Sequence, residues 1–215
     1  KIMERKKPLF VVSAPSGAGK TTLVRHFLQH HPEFTVTVSH TSRFPRSGEE
    51  EGESYYFVSD HRFEELIKQQ YFIEYAKVHN HYYGTSWQEI NDKQRQGPVV
   101  LEIDVQGAEQ IKGRFPGAVL VFILPPSMQV LADRLKKRAA ESQEVRDFRL
   151  KNAEQELKKA CFFDYCIIND VFEKAIKELT AVLQGEREAE KLAVKKNQAI
   201  LETLVKEVEQ GVRDV

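Results

Sequence analysis

Cysteine is nearly absent from this chain: Cys161 and Cys166 are the only two in 215 residues. With no partner pair and no clustered histidines beside them, a disulfide scaffold is excluded and a zinc site is disfavoured. Both read as packing residues in a reduced compartment. An excess of charge is also lacking, since Lys plus Arg and Asp plus Glu each number 32. No global field then draws the chain to nucleic acid or a membrane, and any anion site must be built locally. Long apolar runs are missing as well. The one after Pro8 is too short for a signal peptide or a membrane span, so a cytoplasmic location is expected. The opening Lys1-Ile2-Met3 leaves the native start open. There is no internal repeat, and the only biased stretch is the acidic run 49–53. What is present, 41% hydrophobic and 30% charged residues, suits one α/β domain with an insertion, acting on a small substrate.

The stretch Leu9 to Thr22, LFVVSAPSGAGKTT, organises the rest. Leu9, Phe10, Val11 and Val12 form an apolar run suited to a strand covered on both faces. The chain then turns through Ser13, Ala14, Pro15, Ser16, Gly17, Ala18 and Gly19, and a helix starts near Lys20. Two glycines let backbone N–H groups converge on one anion in front of a helix N-terminus. Lys20 adds a full charge, and Thr21, followed by Thr22, offers a hydroxyl to Mg²⁺. Ala14 stands where the phosphate-loop pattern GxxxxGK[ST] has its first glycine; the half GAGKTT is intact.

Helical spacing of Leu23, Val24, Phe27 and Leu28 carries that helix to His31-Pro32, and alternation from Phe34 to Val38 predicts a second strand. After the polar run SHTSRFPR, an excursion over Arg43 to Glu53 leads to a strand at Tyr55 to Val58. A helix over His61 to Gln70, a strand over Phe72 to Val78 and its return over Asn80 to Gly84 follow. Ser86 and Glu89 form a capping box for a helix ending at Gly97. Val99 to Asp104 is a second buried strand with two carboxylates at its C-terminal end, where open α/β sheets place ligands. A helix over Gly107 to Arg114, a strand over Ala118 to Leu124, and a Ser127-capped helix to about Lys137 come next. Helix resumes after an arginine-bearing segment, Arg134 to Arg149, and reaches Ala160. A last strand over Tyr165 to Asn169 and a helix over Phe172 to Leu183 complete an alternation that implies a parallel sheet with right-handed crossovers. Residues 186–215 form a charged helical extension. Its apolar face, Ala193, Ile200, Leu204, Val208 and Val212, reads first as a solvated terminal helix and second as a surface that docks on its own domain or on another copy, which makes a homodimer possible.

A phosphate loop alone fits a GTPase, an ATPase or a small-molecule kinase. Three clusters favour a kinase. Ser39, Arg43 and Arg46, with Tyr55, Tyr82 and Tyr83, could grip a second phosphate through guanidinium forks and phenol hydroxyls; a solvated charged loop is the competing reading. Glu74 and Thr85, with Glu102 and Asp104, offer the carboxylate and hydroxyl that a guanine edge requires, and read equally as ordinary surface polar groups. Arg134, Arg138 and Arg149 can stabilise charge on a moving phosphoryl group, or form a helical salt-bridge face with Glu141, Glu144 and Asp147.

The motifs SAPSGAGKTT, VSHTSRFPRSGE, YYF at Tyr55, FIEY ending at Tyr75, YYGTS at Tyr82, LEIDVQGA at Leu101, FILPPS at Phe122 and IIND at Ile167 together resemble guanylate kinase, in that family's order, over roughly Pro8 to Leu183. The resemblance implies transfer of the ATP γ-phosphate to GMP with Mg²⁺, a step of purine nucleotide metabolism. It implies a P-loop parallel sheet flanked by helices (8–38, 99–133 and 150–185), a small α+β GMP-binding insertion (39–98) and a helical lid (134–149), all within 1–185. By position it places Ala14 to Thr22, Arg134, Arg138 and Asn169 on ATP, the last near adenine, and Mg²⁺ on Thr21, mostly through phosphates and water. Ser39, Arg43, Arg46, Tyr55 and Tyr83 fall at the GMP phosphate; Glu74, Thr85, Glu102 and Asp104 at or near guanine; Arg149 at the GMP side of the transfer. Lys20, Arg43, Arg138 and Arg149 are the catalytic candidates. Insertion and lid are expected to close toward each other when both nucleotides bind, and an ionised phosphate acceptor needs no general base. Glu102 stands where the family often has Asp, Tyr75 where Trp is frequent, and the lid lacks the usual glycines. The intact GAGKT and Arg149 argue against the alternative of a non-catalytic phosphopeptide-binding module; a P-loop kinase for another nucleoside monophosphate is the remaining alternative.

Overall fold

The computed structural model describes residues 7–78, 80–136, 143–185 and 199–208. Nine strands and seven α-helices alternate among them: β1 (Leu9–Ser13), α1 (Lys20–His30), β2 (Thr35–Val36), β3 (His40–Thr41), β4 (Tyr56–Phe57), α2 (Asp60–Lys68), β5 (Phe72–Val78), β6 (His81–Ser86), α3 (Trp87–Gln96), β7 (Val99–Glu102), α4 (Val105–Arg114), β8 (Val119–Leu124), α5 (Met128–Lys136), α6 (Gln143–Lys158), β9 (Tyr165–Ile168) and α7 (Phe172–Gln184). A 3-10 turn at Ala160–Phe162 precedes β9, and residues 199–208 are helical. A five-stranded sheet runs β2-β7-β1-β8-β9, and a four-stranded sheet runs β4-β3-β6-β5. The pairs β2–β7 and β8–β9 are parallel, as an alternating strand-helix order requires. The chain divides into two compact units, residues 1–11 with 32–119 and residues 12–31 with 120–215.

In the first unit every residue of β1 that it contains is buried, as are Val99, Val100 and Leu101 of β7. The predicted strand Phe34 to Val38 is much shorter than its alternation suggests. Only Thr35 and Val36 pair with β7, because Val38 N–H turns away to donate to Glu89 Oε1 at 2.9 Å. That bond also corrects the capping box. Ser86 does cap α3, accepting from Glu89 N–H at 3.0 Å, but the Glu89 carboxylate holds Val38 instead of reaching back. The polar run after Val38 contains a strand that its residues do not signal, β3, between β4 and β6. Phe63, Leu66 and Phe72 form a separate small core under α2. Strand β5 is the edge of this sheet, and α4 covers it: Gln110 exchanges two hydrogen bonds with the Tyr75 backbone (3.2 and 2.6 Å). Covering an edge in this way blocks its pairing with another chain.

In the second unit Leu120 to Leu124 of β8 are fully buried, α1 packs on α7, and Leu131, Leu135 and Ala153 join α5 to α6. Ser127 caps α5 as expected, accepting from Val130 N–H at 3.2 Å. Cys166 is buried, whereas Cys161 is exposed and is not a packing residue. Reading the tail as a solvated helix is also corrected. Leu201, Leu204 and Val208 are buried, and this helix lines a cavity with Leu157, Phe163 and Cys166. The buried stripe is therefore Leu201, Leu204 and Val208, with Ile200 partly exposed; Ala193 and Val212 lie outside the described residues. Burying three such side chains is worth about 1.5–3 kcal/mol each as an upper bound. Truncation after Gly185 should therefore lower Tm by roughly 5–10 °C and leave kcat within about twofold. A thermal melt beside a rate measurement checks this; lost turnover in a truncated protein of unchanged Tm would contradict it.

Candidate active site

The phosphate loop has the backbone that its glycines predict. Gly17 and Gly19 sit at φ +91° and +90°, a region that side chains rarely adopt. Ala18 N–H closes a turn onto Pro15 O at 3.1 Å, and α1 starts at Lys20 with no side-chain cap and no acidic residue in its first turn. The uncapped N–H donors and the helix dipole thus favour an anion. Crowding adds to the need for glycine: a Cβ on Gly17 would press on Leu135 and Leu131, and one on Gly19 would strike the Asn169 amide. The loop is braced from behind. Asn169 Nδ2 donates to Ala18 O at 2.7 Å, while Arg134 donates to Asn169 O at 2.8 Å and to Ala18 O at 3.5 Å. Two residues expected on ATP therefore hold the loop itself, and the Asn169 amide is turned to loop backbone instead of standing out for a base. Arg149 lies on α6, half-buried. Arg138 lies outside the described residues.

The residues expected around GMP come together inside the first unit. Ser39 Oγ and Thr85 Oγ1 are 3.3 Å apart. Arg43 Nε donates to the Tyr83 hydroxyl at 3.3 Å, its guanidinium lies 5.5 Å from the centre of the Tyr55 ring, and Tyr55 and Tyr83 meet edge to face. A partner that the sequence does not single out completes this cluster. Glu49 accepts from Arg43 Nη1 and Nη2 at 3.0 and 2.8 Å, and from the Arg46 backbone N–H at 2.8 Å. The Arg43 fork pulls the Glu49 carboxyl below its ordinary range, and Glu49 in turn raises Arg43. Arg43 is thus held in one orientation by an anionic partner, whereas the Arg46 side chain is exposed. Burial raises the Tyr55 phenol, and the charge of Glu102 contributes to the rise.

Glu74 is the most unusual group of the site. It is 2% exposed, opposite Thr85 in the β5–β6 register, and its Oε1 has no hydrogen-bond partner among the described residues. Burial pushes its carboxyl up to about 7. Thr85 opposes that rise, the Asp104 charge adds to it, and Arg114 counters it. Gly107 makes room for it, since a Cβ there would strike Glu74 Oε2. Asp104 has a structural task that its sequence context leaves hidden: its Oδ1 caps α4 through Gly107 N–H at 2.9 Å, and the helix starts two residues earlier than expected. A buried carboxylate oxygen left unpaired is costly unless a ligand donor reaches it.

Comparison with known proteins agrees with this arrangement. A family model described as guanylate kinase matches residues 5–186. A guanylate kinase of Neisseria gonorrhoeae is 48% identical over 184 residues, covering 85% of this chain and 90% of that protein. One of Methylobacillus flagellatus is 46% identical over 183 residues, covering 85% and 91%. The crystal structure of guanylate kinase from Anaplasma phagocytophilum superposes with a TM-score of 0.69 at 30% identity, covering 84% of this chain and 86% of that one.

Proposed function

Because this chain belongs to the guanylate kinase family, and so moves the γ-phosphoryl group of ATP onto GMP to give ADP and GDP, we propose that the phosphate loop and the Arg43 cluster divide that work. The loop amides from Gly17 to Lys20, with the Lys20 charge, hold the ATP phosphates. Ser39, Arg43, Arg46, Tyr55 and Tyr83 hold the GMP phosphate, and Arg149 and Arg138 add charge stabilisation as the phosphoryl group moves. The Thr21 hydroxyl, a hard oxygen donor, suits Mg²⁺, an ion that keeps most of its shell for phosphate and water and neutralises β- and γ-oxygen charge. Transfer between two polyanions needs positioning and charge compensation more than covalent help, and an acceptor phosphate already ionised at neutral pH needs no base.

The observation that carries the choice of acceptor is the unpaired Oε1 of buried Glu74 beside Thr85. Guanine presents N1–H and N2–H donors to such an oxygen, and Thr85 can serve the neighbouring edge. Adenine would bring the N1 lone pair against the carboxylate, a repulsive contact. ADP release from ATP and Mg²⁺ should be fast with GMP and slow with AMP, CMP and UMP. Equal rates with AMP would remove this account of base selection, and no turnover with any of the four would favour the phosphopeptide-binding reading.

A further inference from the structure

On the opposite face of β5 from Glu74 lies a cavity of about 440 Å³ that the transfer reaction does not use. It is lined by Ile67, Gln70, Phe72, Tyr75, Trp87 and Arg114. Neighbouring strand residues point to opposite faces, and Tyr75 packs with the α2 core while Glu74 points to Thr85 and Gly107. The volume is in the range of small-ligand sites. Its chemistry is one-sided. Phe72, Tyr75, Trp87 and Ile67 supply apolar and aromatic surface, and Trp87 is 39% exposed. The polar atoms in reach include a guanidinium, a primary amide, an indole N–H and a phenol, all able to donate, with no carboxylate in the lining. Arg114 is its only charged side chain. One nitrogen, Nη1, donates to the carbonyls of Phe72 (3.2 Å) and Ile73 (2.6 Å), which fixes the guanidinium against β5 and leaves its other N–H groups for an anion.

We propose that this cavity binds a small planar aromatic anion, its ring against Phe72, Tyr75 and Trp87 and its carboxylate or phosphate on Arg114. Binding there reaches the GMP site through Arg114, whose charge also favours the ionised form of Glu74. An anion that neutralises Arg114 weakens that support, so GMP binds less well. The binding claim stands by itself, while the coupling rests on the assignment of Glu74 to guanine.

Trp87 is the only tryptophan in the chain, so its fluorescence reports on this cavity alone. Full-length protein is titrated with benzoate and with phenyl phosphate, beside benzyl alcohol and cyclohexanecarboxylate as probes lacking the charge or the aromatic ring. Saturable change with at least one aromatic anion, absent with both controls, is expected; which anion binds more tightly distinguishes carboxylate from phosphate as the preferred group. Gln70→Glu, an isosteric change at an exposed turn residue, should weaken binding roughly tenfold by placing a like charge beside the anion, with GMP kinase activity unchanged in the absence of the probe. Arg114→Lys should weaken it as well. In wild-type protein the bound anion should raise KM for GMP a few-fold and leave KM for ATP unchanged. No saturable signal, equal response to the neutral or non-aromatic probes, or insensitivity to Gln70→Glu overturns the site. Saturable binding with constant KM for GMP overturns the coupling, and neither result touches the phosphotransferase assignment.

Discussion

Lys20→Ala should lower kcat by about a hundredfold or more while the protein keeps its Tm within a few degrees. The two halves of that expectation have separate physical sources. The fall in rate follows from the lost charge, because the interaction with the phosphates strengthens as the bond to the γ-phosphoryl breaks, and such interactions are expressed in kcat. The retained fold follows from how the loop is held. Its conformation depends on Gly17 and Gly19 at positive φ, on the Ala18–Pro15 turn, and on the Asn169 and Arg134 bonds to Ala18 O, none of which uses the Lys20 side chain. Steady-state kinetics with saturating GMP, beside a thermal melt, test both. An unchanged kcat with only a raised KM for ATP would assign Lys20 to ground-state binding and reject its role in stabilising the transition state.

The same loop illustrates what local sequence carries. A run of four buried apolar residues, two glycines where φ must be positive and a helix start are all signalled within fourteen positions, and the structure has each of them. Partners distant in sequence are less legible. Glu89 has the spacing of a capping-box glutamate, yet its carboxylate goes to Val38 N–H 51 residues away, because a buried backbone donor at the end of β2 has no other acceptor. Asn169 lies 151 residues from Ala18, and nothing near either residue announces their bond. Asp104 reads as a ligand group, whereas Asp followed three residues later by a free helical N–H is also an N-cap signal. The tail's buried stripe differs by one position from its apolar pattern, Leu201 in place of Ile200, because a charged helix with sparse apolar residues fits more than one face. Glu49 belongs to an acidic run that looks solvated, and only the folded excursion brings it onto Arg43. Family motifs locate Glu74 and Thr85, but burial and the unpaired Oε1 emerge only from the packing of β5, β6 and Gly107.

Glu74→Gln should change base choice, pH dependence and stability together, each in a definite direction. The substitution conserves volume, removes a charge and puts an amide donor where guanine needs an acceptor. A buried group left unpaired costs about 1–3 kcal/mol, so kcat/KM for GMP should fall roughly ten- to a hundredfold, with AMP level or improved. In wild-type protein the Glu74 carboxyl is raised from 4.5 to about 7 by burial, so GMP recognition must work against protonation. Below pH 7, kcat/KM for GMP should drop about tenfold per pH unit from this group, beyond the contribution of the GMP phosphate, whose second ionisation lies near pH 6. Glu74→Gln should retain only the phosphate part. Stability runs the other way. A carboxyl whose folded pKa is raised lends stability that is complete below its unfolded pKa near 4.5 and is lost as pH rises through about 7. At pH 8 wild-type protein therefore carries the full cost of a buried charge, on the order of 3 kcal/mol, and Glu74→Gln should melt higher there, with the difference shrinking toward pH 5. A parallel fall for GMP and AMP, or a variant that melts lower at pH 8, would mean that this carboxylate supports the fold or the phosphate cluster and does not read guanine.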